Sequence, residues 1–275
     1  MKIGIMGFGV VGRALFSYYR TKHEVWHYDI ATDTKAELDA LNRNADVVFI
    51  CVGTPYAGEG KGLDTSDVYA AVDSLTGSKT VIIKSTVNPG TTDDIQAKHP
   101  EHRVFFVPEF LSEDTAADDY ANPRRPHIIG CTEASWPSAE CPVSPYLPHY
   151  SIVDSDGCLR RIVYIPARQA ELLKLATNAF YALKVTFANQ MYDLGMTQET
   201  LDALAEDPWI VASHFKIEHK GDRGYGGKCL PKDTNALITY HCQTVGNPGF
   251  IPIYCDIYND ILRKANGSSH STESE

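Results

Sequence analysis

The sequence predicts an α/β protein: a doubly wound, mainly parallel sheet followed by an α-helical region. Three observations carry that expectation. Short apolar runs alternate with helix-like segments through the first half, a glycine-rich turn follows the first run, and one long amphipathic helix stands in the second half. The runs Lys2–Met6, Glu24–Tyr28, Asp46–Val52, Thr80–Lys84 and Arg103–Val107 read as buried strands, with Val11–Tyr19 and Ser66–Leu75 as helices between them. From Cys131 to Pro148 the pattern fails, because Pro137, Pro142, Pro145 and Pro148 forbid a regular helix. A further strand is expected over Arg161–Ile165.

Ala167–Leu194 reads as one long helix, with Leu172, Leu173, Ala176, Phe180, Leu183 and Phe187 recurring every three or four residues to form an apolar face. Shorter helices are expected over Gln198–Glu206 and Asp233–Cys242. The domain expectation is therefore residues 1–166 for the sheet, 167–265 for a helical domain and 266–275 for a disordered tail, since GSSHSTESE offers nothing to bury.

Composition narrows the class. The 275 residues are enough for one large domain or two modest ones, and 43% hydrophobic with 22% charged residues is ordinary for a globular chain. A net charge of −10 argues against a nucleic-acid or anionic-membrane surface. No apolar run reaches the roughly 18 to 20 residues that span a bilayer, and the N-terminus does not read as a signal peptide. Seven cysteines, an odd number with no C-x-x-C pair, read as reduced thiols in a cytoplasmic protein. No metal is expected, because the spacing for a four-ligand zinc site is missing.

Gly7-Phe8-Gly9-Val10-Val11-Gly12 is a G-x-G-x-x-G turn that follows a strand and opens a helix, the context of a Rossmann-type dinucleotide cradle. Gly7 makes the tight turn, Gly9 admits the pyrophosphate, and Gly12 lets helix and sheet pack closely. Asp29 ends the second strand, where a carboxylate accepts from the ribose diol and repels a 2′-phosphate, so NAD is expected over NADP. Lys35 lies close enough in sequence to assist it. Val52-Gly53-Thr54-Pro55 and Lys84-Ser85-Thr86 end two further strands and are expected to line the same crevice, although each also suits an ordinary turn.

The stretch GYGGKCLPKD holds the most reactive candidate. Pro231 suits the first turn of a helix, which sets Cys229 just before a positive helix end with Lys228 and Lys232 beside it. Both features favour a nucleophilic thiolate. Asp233 lies four residues on, and glycines such as Gly226 let the backbone approach a ligand. A buried structural cysteine beside a helix cap is the competing reading. Lys174 and Asn178 share a helix face, and Glu109 and Glu113 directly follow a strand; taken alone, each pair also reads as solvated surface.

Together these segments resemble the UDP-glucose/GDP-mannose dehydrogenase family. The matching stretches are MKIGIMGFGVVG, VVFICVGTP, IIKSTVNPGTT, VPEFLSEDTA, ELLKLATNAFYALK and GYGGKCLPKD, in family order. The resemblance implies NAD-dependent oxidation of the C6 alcohol of a nucleotide sugar to a carboxylate, with UDP-glucose as the default substrate. Cys229 would then be the nucleophile that forms a thiohemiacetal and a thioester. Lys174 would stabilise the oxyanion or move a proton, with Asn178 beside it, and Asp233 would assist the water and the lysine. Thr86 and Glu113 would position the water near the cofactor. Glu109 would belong to the substrate loop, and Phe110 and Leu111 would contact substrate through their backbone.

The family's further α/β domain, on the order of 100 to 150 residues, is expected to be lacking. The proline-rich stretch and Lys220-Gly221-Asp222-Arg223 also depart from the family pattern. A homodimer through the helical region is expected, or a separate chain that completes the substrate grip. Two other readings stand beside this one: a dehydrogenase of a smaller sugar or sugar acid, and an inactive NAD-binding or dimerisation module.

Overall fold

In the computed structural model the chain forms two compact units, Met1–Pro55 with Asp64–Lys174, and Tyr56–Leu63 with Leu175–Glu275. The structure describes residues 1–123, 125–136, 142–148, 162–219 and 221–265. Arg161, Lys220, the expected tail 266–275 and residues 137–141 of the proline-rich stretch lie outside the described residues.

The first unit is built on strands β1 (Lys2–Met6), β2 (Glu24–Tyr28), β3 (Val47–Ile50), β4 (Thr80–Ile83), β5 (Arg103–Phe106), β6 (His127–Cys131) and β7 (Ile162–Pro166). They form one sheet in the order β2-β1-β3-β4-β5-β6-β7. The first five are parallel, β6 runs antiparallel to β5, and β7 is parallel to β6. Helices α1 (Val10–Tyr19), α2 (Lys35–Asn44), α3 (Ser66–Asp73), α4 (Thr91–Lys98) and α5 (Ala116–Ala121) connect the strands.

β3, β4 and β5 read VVFI, TVII and RVFF because both of their faces are covered. Ile3, Ile5, Phe49, Ile82 and Phe105 pack with Leu15 of α1 and Tyr120 of α5 on one side. Val48, Ile50, Val81, Ile83 and Val104 pack with Leu41, Val72 and Ile95 of α2, α3 and α4 on the other. The sheet is therefore doubly wound, as the sequence predicts. Its strand order reverses at β1, which has β2 on one side and β3 on the other, and that switch point opens a crevice beyond the carboxyl ends of β1 and β3.

α6 (Ala167–Asp193) leaves β7 directly. Gly130 in β6 permits its close start, since a Cβ there would lie 2.7 Å from the Ala170 methyl and 3.0 Å from Ala167 Cα. The expected apolar series along α6 keeps the helical period but lies at the edge of the core: Leu183 packs against Ala182, Val185, Tyr225 and Cys255, whereas Phe180 is 58% and Phe187 40% exposed. The side buried in the second unit carries Leu175, Asn178, Ala179, Ala182, Val185, Ala188 and Asn189 instead.

The second unit continues with α7 (Gln198–Leu204), a short hairpin of β8 (Glu218–His219) and β9 (Asp222–Arg223), α8 (Leu230–Val245) and α9 (Phe250–Ala265). Pro231 falls in the first turn of α8, and Gly246 ends that helix in the left-handed conformation, φ 83°. Helix α8 thus begins three residues earlier and ends three later than the sequence predicts. Among the described residues no helix is long and apolar enough to cross a membrane.

Candidate active site

The first unit carries the cradle. Gly7 turns at φ 88°, its N–H donates to Tyr28 O (2.9 Å), and a Cβ there would meet Cys51 O at 2.6 Å. Gly12 faces Gly7 O, which a Cβ would approach to 2.0 Å, so α1 starts tight against the turn. Gly9 is the N-cap of α1, with open space where its Cβ would point. That open side, in front of a helix N-terminus, suits a pyrophosphate. Val10 and Val11 pack back onto the core, and the Phe8 ring stacks on His27 at 4.2 Å.

Asp29 is tied to this turn. Its Oδ2 accepts from Phe8 N (2.6 Å) and its Oδ1 from Ala31 N (3.0 Å). The carboxylate therefore stands at the mouth of the cradle, where a ribose diol would lie. Lys35 sits exposed at the first position of α2, behind a Thr34–Glu37 capping box, and no hydrogen bond or ion pair joins it to Asp29 among the described residues. Asp33 is the residue that meets Asp29, accepting from its backbone N–H at 2.8 Å. Beyond β3, Val52 O accepts from the Ser85 hydroxyl (2.7 Å), which joins the Val52-Gly53-Thr54-Pro55 turn to the end of β4. Thr54, Ser85 and Thr86 are buried, and Gly53 is exposed.

Three ionisable groups meet beyond β4 and β5. Lys174 on α6 donates to Glu109 O (2.7 Å) and lies 3.4 Å from Glu109 Oε1. Glu109 Oε2 accepts from Leu111 N (2.8 Å), which folds the loop back on itself. Burial raises the Glu109 pKa, but Lys174, the Leu111 N–H and Lys84 outweigh it and hold the carboxyl below its usual range. Lys84, 5% exposed, reaches Pro108 O at 3.5 Å, and burial pushes its amine down to about 8. The Phe110 ring carries Lys174 at 5.0 Å and Arg125 at 4.4 Å from its centre. Glu113 opens a short 3-10 turn and is exposed.

Glu171, one turn before Lys174, anchors the start of α6. Its carboxylate accepts from Gly90 N (2.5 Å), Thr92 N (2.8 Å) and the Thr92 hydroxyl (2.6 Å), and so caps α4, which has no side-chain cap of its own. Burial raises its pKa against those three bonds.

The second unit carries the thiol. Cys229 is exposed at the N-cap of α8. Asp233, fully buried one turn on, accepts from Asn178 Nδ2 and pairs with Lys232 Nζ, both at 2.5 Å. The glycine loop before Cys229 is held from α9: Asn259 Oδ1 accepts from Tyr225 N (2.8 Å), and a Cβ on Gly226 would meet the Arg263 guanidinium at 2.1 Å. Gly224 and Gly227 both adopt positive φ, 83° and 73°.

The structure thus joins Glu109 to Lys174 and Asn178 to Asp233, partners 65 and 55 residues apart. Lys84 stands at the strand end expected to line the crevice, but its burial against the Glu109 loop is not readable from the sequence, and Glu171, Asn259 and Arg263 escape the sequence reading. For Asn259 and Arg263 the sequence carries no comparable signal.

A doubly wound sheet with a phosphate turn and a ribose-side carboxylate defines a dinucleotide-binding protein of the dehydrogenase type. The chain belongs to the UDP-glucose/GDP-mannose dehydrogenase family: residues 27–139 match its NAD binding domain and residues 168–251 its central domain. It is 36% identical over 209 residues to the UDP-glucose 6-dehydrogenase of Rhizobium meliloti (strain 1021), covering 70% of this chain and 45% of that protein. It is 30% identical over 224 residues to the GDP-mannose 6-dehydrogenase of Pseudomonas putida (strain KT2440), covering 74% and 48%. A UDP-glucose dehydrogenase structure from the hyperthermophilic archaeon Pyrobaculum islandicum superposes with a TM-score of 0.75 at 28% identity, covering 97% of this chain and 72% of that one. The chain spans about half the length of the first two relatives. The cofactor of the family's first domain is NAD, and the open side of Gly9 with the Asp29 carboxylate fits it.

Proposed function

We propose that this chain takes part in the NAD-dependent oxidation of the C6 alcohol of a nucleotide sugar to a carboxylate, with UDP-glucose as default substrate and Cys229 as nucleophile. The observation that carries the reading is Cys229 exposed at the N-cap of α8, one turn from a buried Asp233 already bonded to Asn178. Residues 1–166 are proposed as the NAD-binding domain and 167–265 as the helical domain that carries the thiol.

Bound NAD supplies the hydride acceptor for each of two oxidations. Gly7 to Gly12 and Asp29 hold it, with Val52 to Pro55, Ser85 and Thr86 along the crevice. The first oxidation takes a hydride and a proton from the C6 alcohol and leaves an aldehyde. The Cys229 thiolate adds to that carbonyl as a thiohemiacetal, whose oxyanion the Lys174 ammonium stabilises. Loss of the second hydride gives a thioester at Cys229. Water, oriented by Asp233, Asn178, Thr86 and Glu113, then cleaves the thioester, releasing the carboxylate and the thiol. Glu109, Phe110, Leu111 and Gly226 line the substrate.

Phe180 and Phe187 of α6, with Ile251, Tyr254, Ile257 and Ile261 of α9, are exposed apolar side chains that support burial against a second copy. A homodimer, or a separate chain, is proposed to complete the grip on the nucleotide, in the cytoplasm.

A nucleotide-sugar panel followed by NADH absorbance tests the proposal. Two NADH per substrate consumed, abolished in Cys229→Ala, supports it. One NADH per substrate points to a simple alcohol dehydrogenase of a smaller sugar. NAD binding without turnover, as monomer or dimer, points to a non-catalytic module.

A further inference from the structure

At the opposite end of the sheet from the cradle, the link between α4 and β5 reads His99-Pro100-Glu101-His102. One donor atom from each of His99, Glu101 and His102 lies within 4.8 Å of the other two. Glu101 Oε1 is 3.4 Å from His99 Nδ1 and 3.8 Å from His102 Nε2. The two imidazoles stack nearly parallel, 11° apart with centres at 5.7 Å. Tetrahedral zinc, with bonds of about 2.0 to 2.2 Å, sets its ligand atoms roughly 3.4 Å apart. Both carboxylate–imidazole separations are already within about half an ångström of that spacing.

Two further observations point to a ligand. The His102 side chain is 1% exposed, and neither of its ring nitrogens has a hydrogen-bond partner. A buried imidazole without partners is costly, and a metal bond at Nε2 would satisfy it. Second, His99 Nε2 meets Asp73 Oδ1 at 2.8 Å, at the last residue of α3. A ring proton on Nε2, donated to Asp73, would leave the Nδ1 lone pair on the Glu101 side, where an ion would bind. A carboxylate behind a ligating histidine is the usual way to fix its tautomer and orientation.

We infer that His99, Glu101 and His102 form a binding site for a divalent transition-metal ion, zinc foremost, with Asp73 as the residue that orients His99. Two imidazoles and one carboxylate suit zinc rather than magnesium or calcium, which take oxygen donors. The half-exposed Glu101 gives the ion a way in, and a water completes four-coordination. The ion would tie the end of α3 to the α4–β5 link and so clip three elements of the first unit together. The sequence expectation of no metal rested on four-ligand spacing; three donors within four residues, backed by a carboxylate 26 residues away, do not follow that spacing.

The test is titration of the chelator-stripped full chain with zinc chloride by calorimetry, in a Cys229→Ser background so that this thiol does not compete. The expected result is about one equivalent bound, weakened at least tenfold in His99→Ala and in Glu101→Gln, and roughly 10- to 100-fold in Asp73→Asn. These three are preferred to His102→Ala, which leaves a hole in a packed region. Cobalt in place of zinc is expected to give the visible absorption of a tetrahedral site, lost in His99→Ala. No zinc binding, or binding that is equal in His99→Ala, Glu101→Gln and the parent, overturns the inference and marks the ion as adventitious.

Discussion

Lys84→Met is expected to stabilise the protein at pH 7. The lysine closes β4, is 5% exposed, and has Pro108 O at 3.5 Å as its hydrogen-bond partner. Burial pushes its pKa from 10.5 to about 8, with Glu109 and Cys51 working the other way and Lys174 adding to the depression. A depression of that size is worth about 3 kcal/mol, the cost of keeping the buried amine charged at pH 7 relative to the unfolded chain. Methionine keeps the length and apolar stem without the charge.

The pH dependence has a definite sign. Between pH 8 and pH 10.5 the unfolded lysine holds its proton while the folded one has lost it, so parental stability rises with pH across that window. Lys84→Met lacks this rise. It should be more stable than the parent by about 2 to 3 kcal/mol at pH 7, and the gap should close by pH 10.5. Urea unfolding at pH 7, 8.5 and 10 measures the gap, since other titrating groups cancel in the difference. A variant less stable than the parent at pH 7, or a gap that stays constant across the window, refutes the reasoning.

Glu171→Gln retains one acceptor oxygen for three donors, Gly90 N, Thr92 N and the Thr92 hydroxyl, so it should lose about 1 to 3 kcal/mol in urea unfolding at pH 7. Asp29→Asn removes a charge that accepts from the cradle and faces the ribose; titration by fluorescence should show NAD bound about ten- to a hundredfold more weakly, with NADP affected less. Phe180→Glu with Phe187→Glu puts charge on the exposed face of α6 and should convert the proposed dimer to monomer in sedimentation, without loss of helical circular dichroism.

What could be read from the sequence follows from how local each signal is. Strands β1 to β5 and the glycine turn are legible because they rest on continuous apolar runs and on spacing within a few residues. β6 is hidden, because HIIGC pairs antiparallel with β5 where the alternation of strand and helix implies a parallel strand. Along α6 the period is legible but the face is only partly so: the buried side carries Leu175 and Val185 among alanines, Asn178 and Asn189, while both phenylalanines of the expected series are exposed. Hydrophobicity alone assigns those phenylalanines to the core, yet the side packed in this unit is built mostly of smaller residues. Helix α2 is marked by its capping box rather than by apolar content, with Leu41 its one buried residue. Among the site residues, Cys229 and Gly7 to Gly12 announce themselves through neighbours. Lys84 is legible as a strand-end residue of the crevice, but its partner 24 residues away is not, and Glu171 depends on partners 79 to 81 residues away, which no local pattern encodes.

The two clusters of ionisable groups in the first unit differ in what they demand of the fold. Lys84, Glu109 and Lys174 stand beyond the carboxyl ends of β4 and β5, where an open α/β sheet binds its ligand. Burial depresses the Lys84 pKa and costs stability at pH 7, whereas Lys174, the Leu111 N–H and Lys84 hold Glu109 low and favour its charged form; a cluster of such perturbed groups in a crevice is the pattern of groups kept for chemistry. His99, Glu101 and His102 stand before the amino end of β5, roughly 13 Å of strand away. Metal binding there therefore acts on stability and leaves the cradle untouched. Zinc that raises the unfolding midpoint without changing NAD affinity would fit two independent sites. Zinc that shifts both would mean that β5 transmits strain between its ends, and the clip would then be coupled to cofactor binding rather than to the scaffold alone.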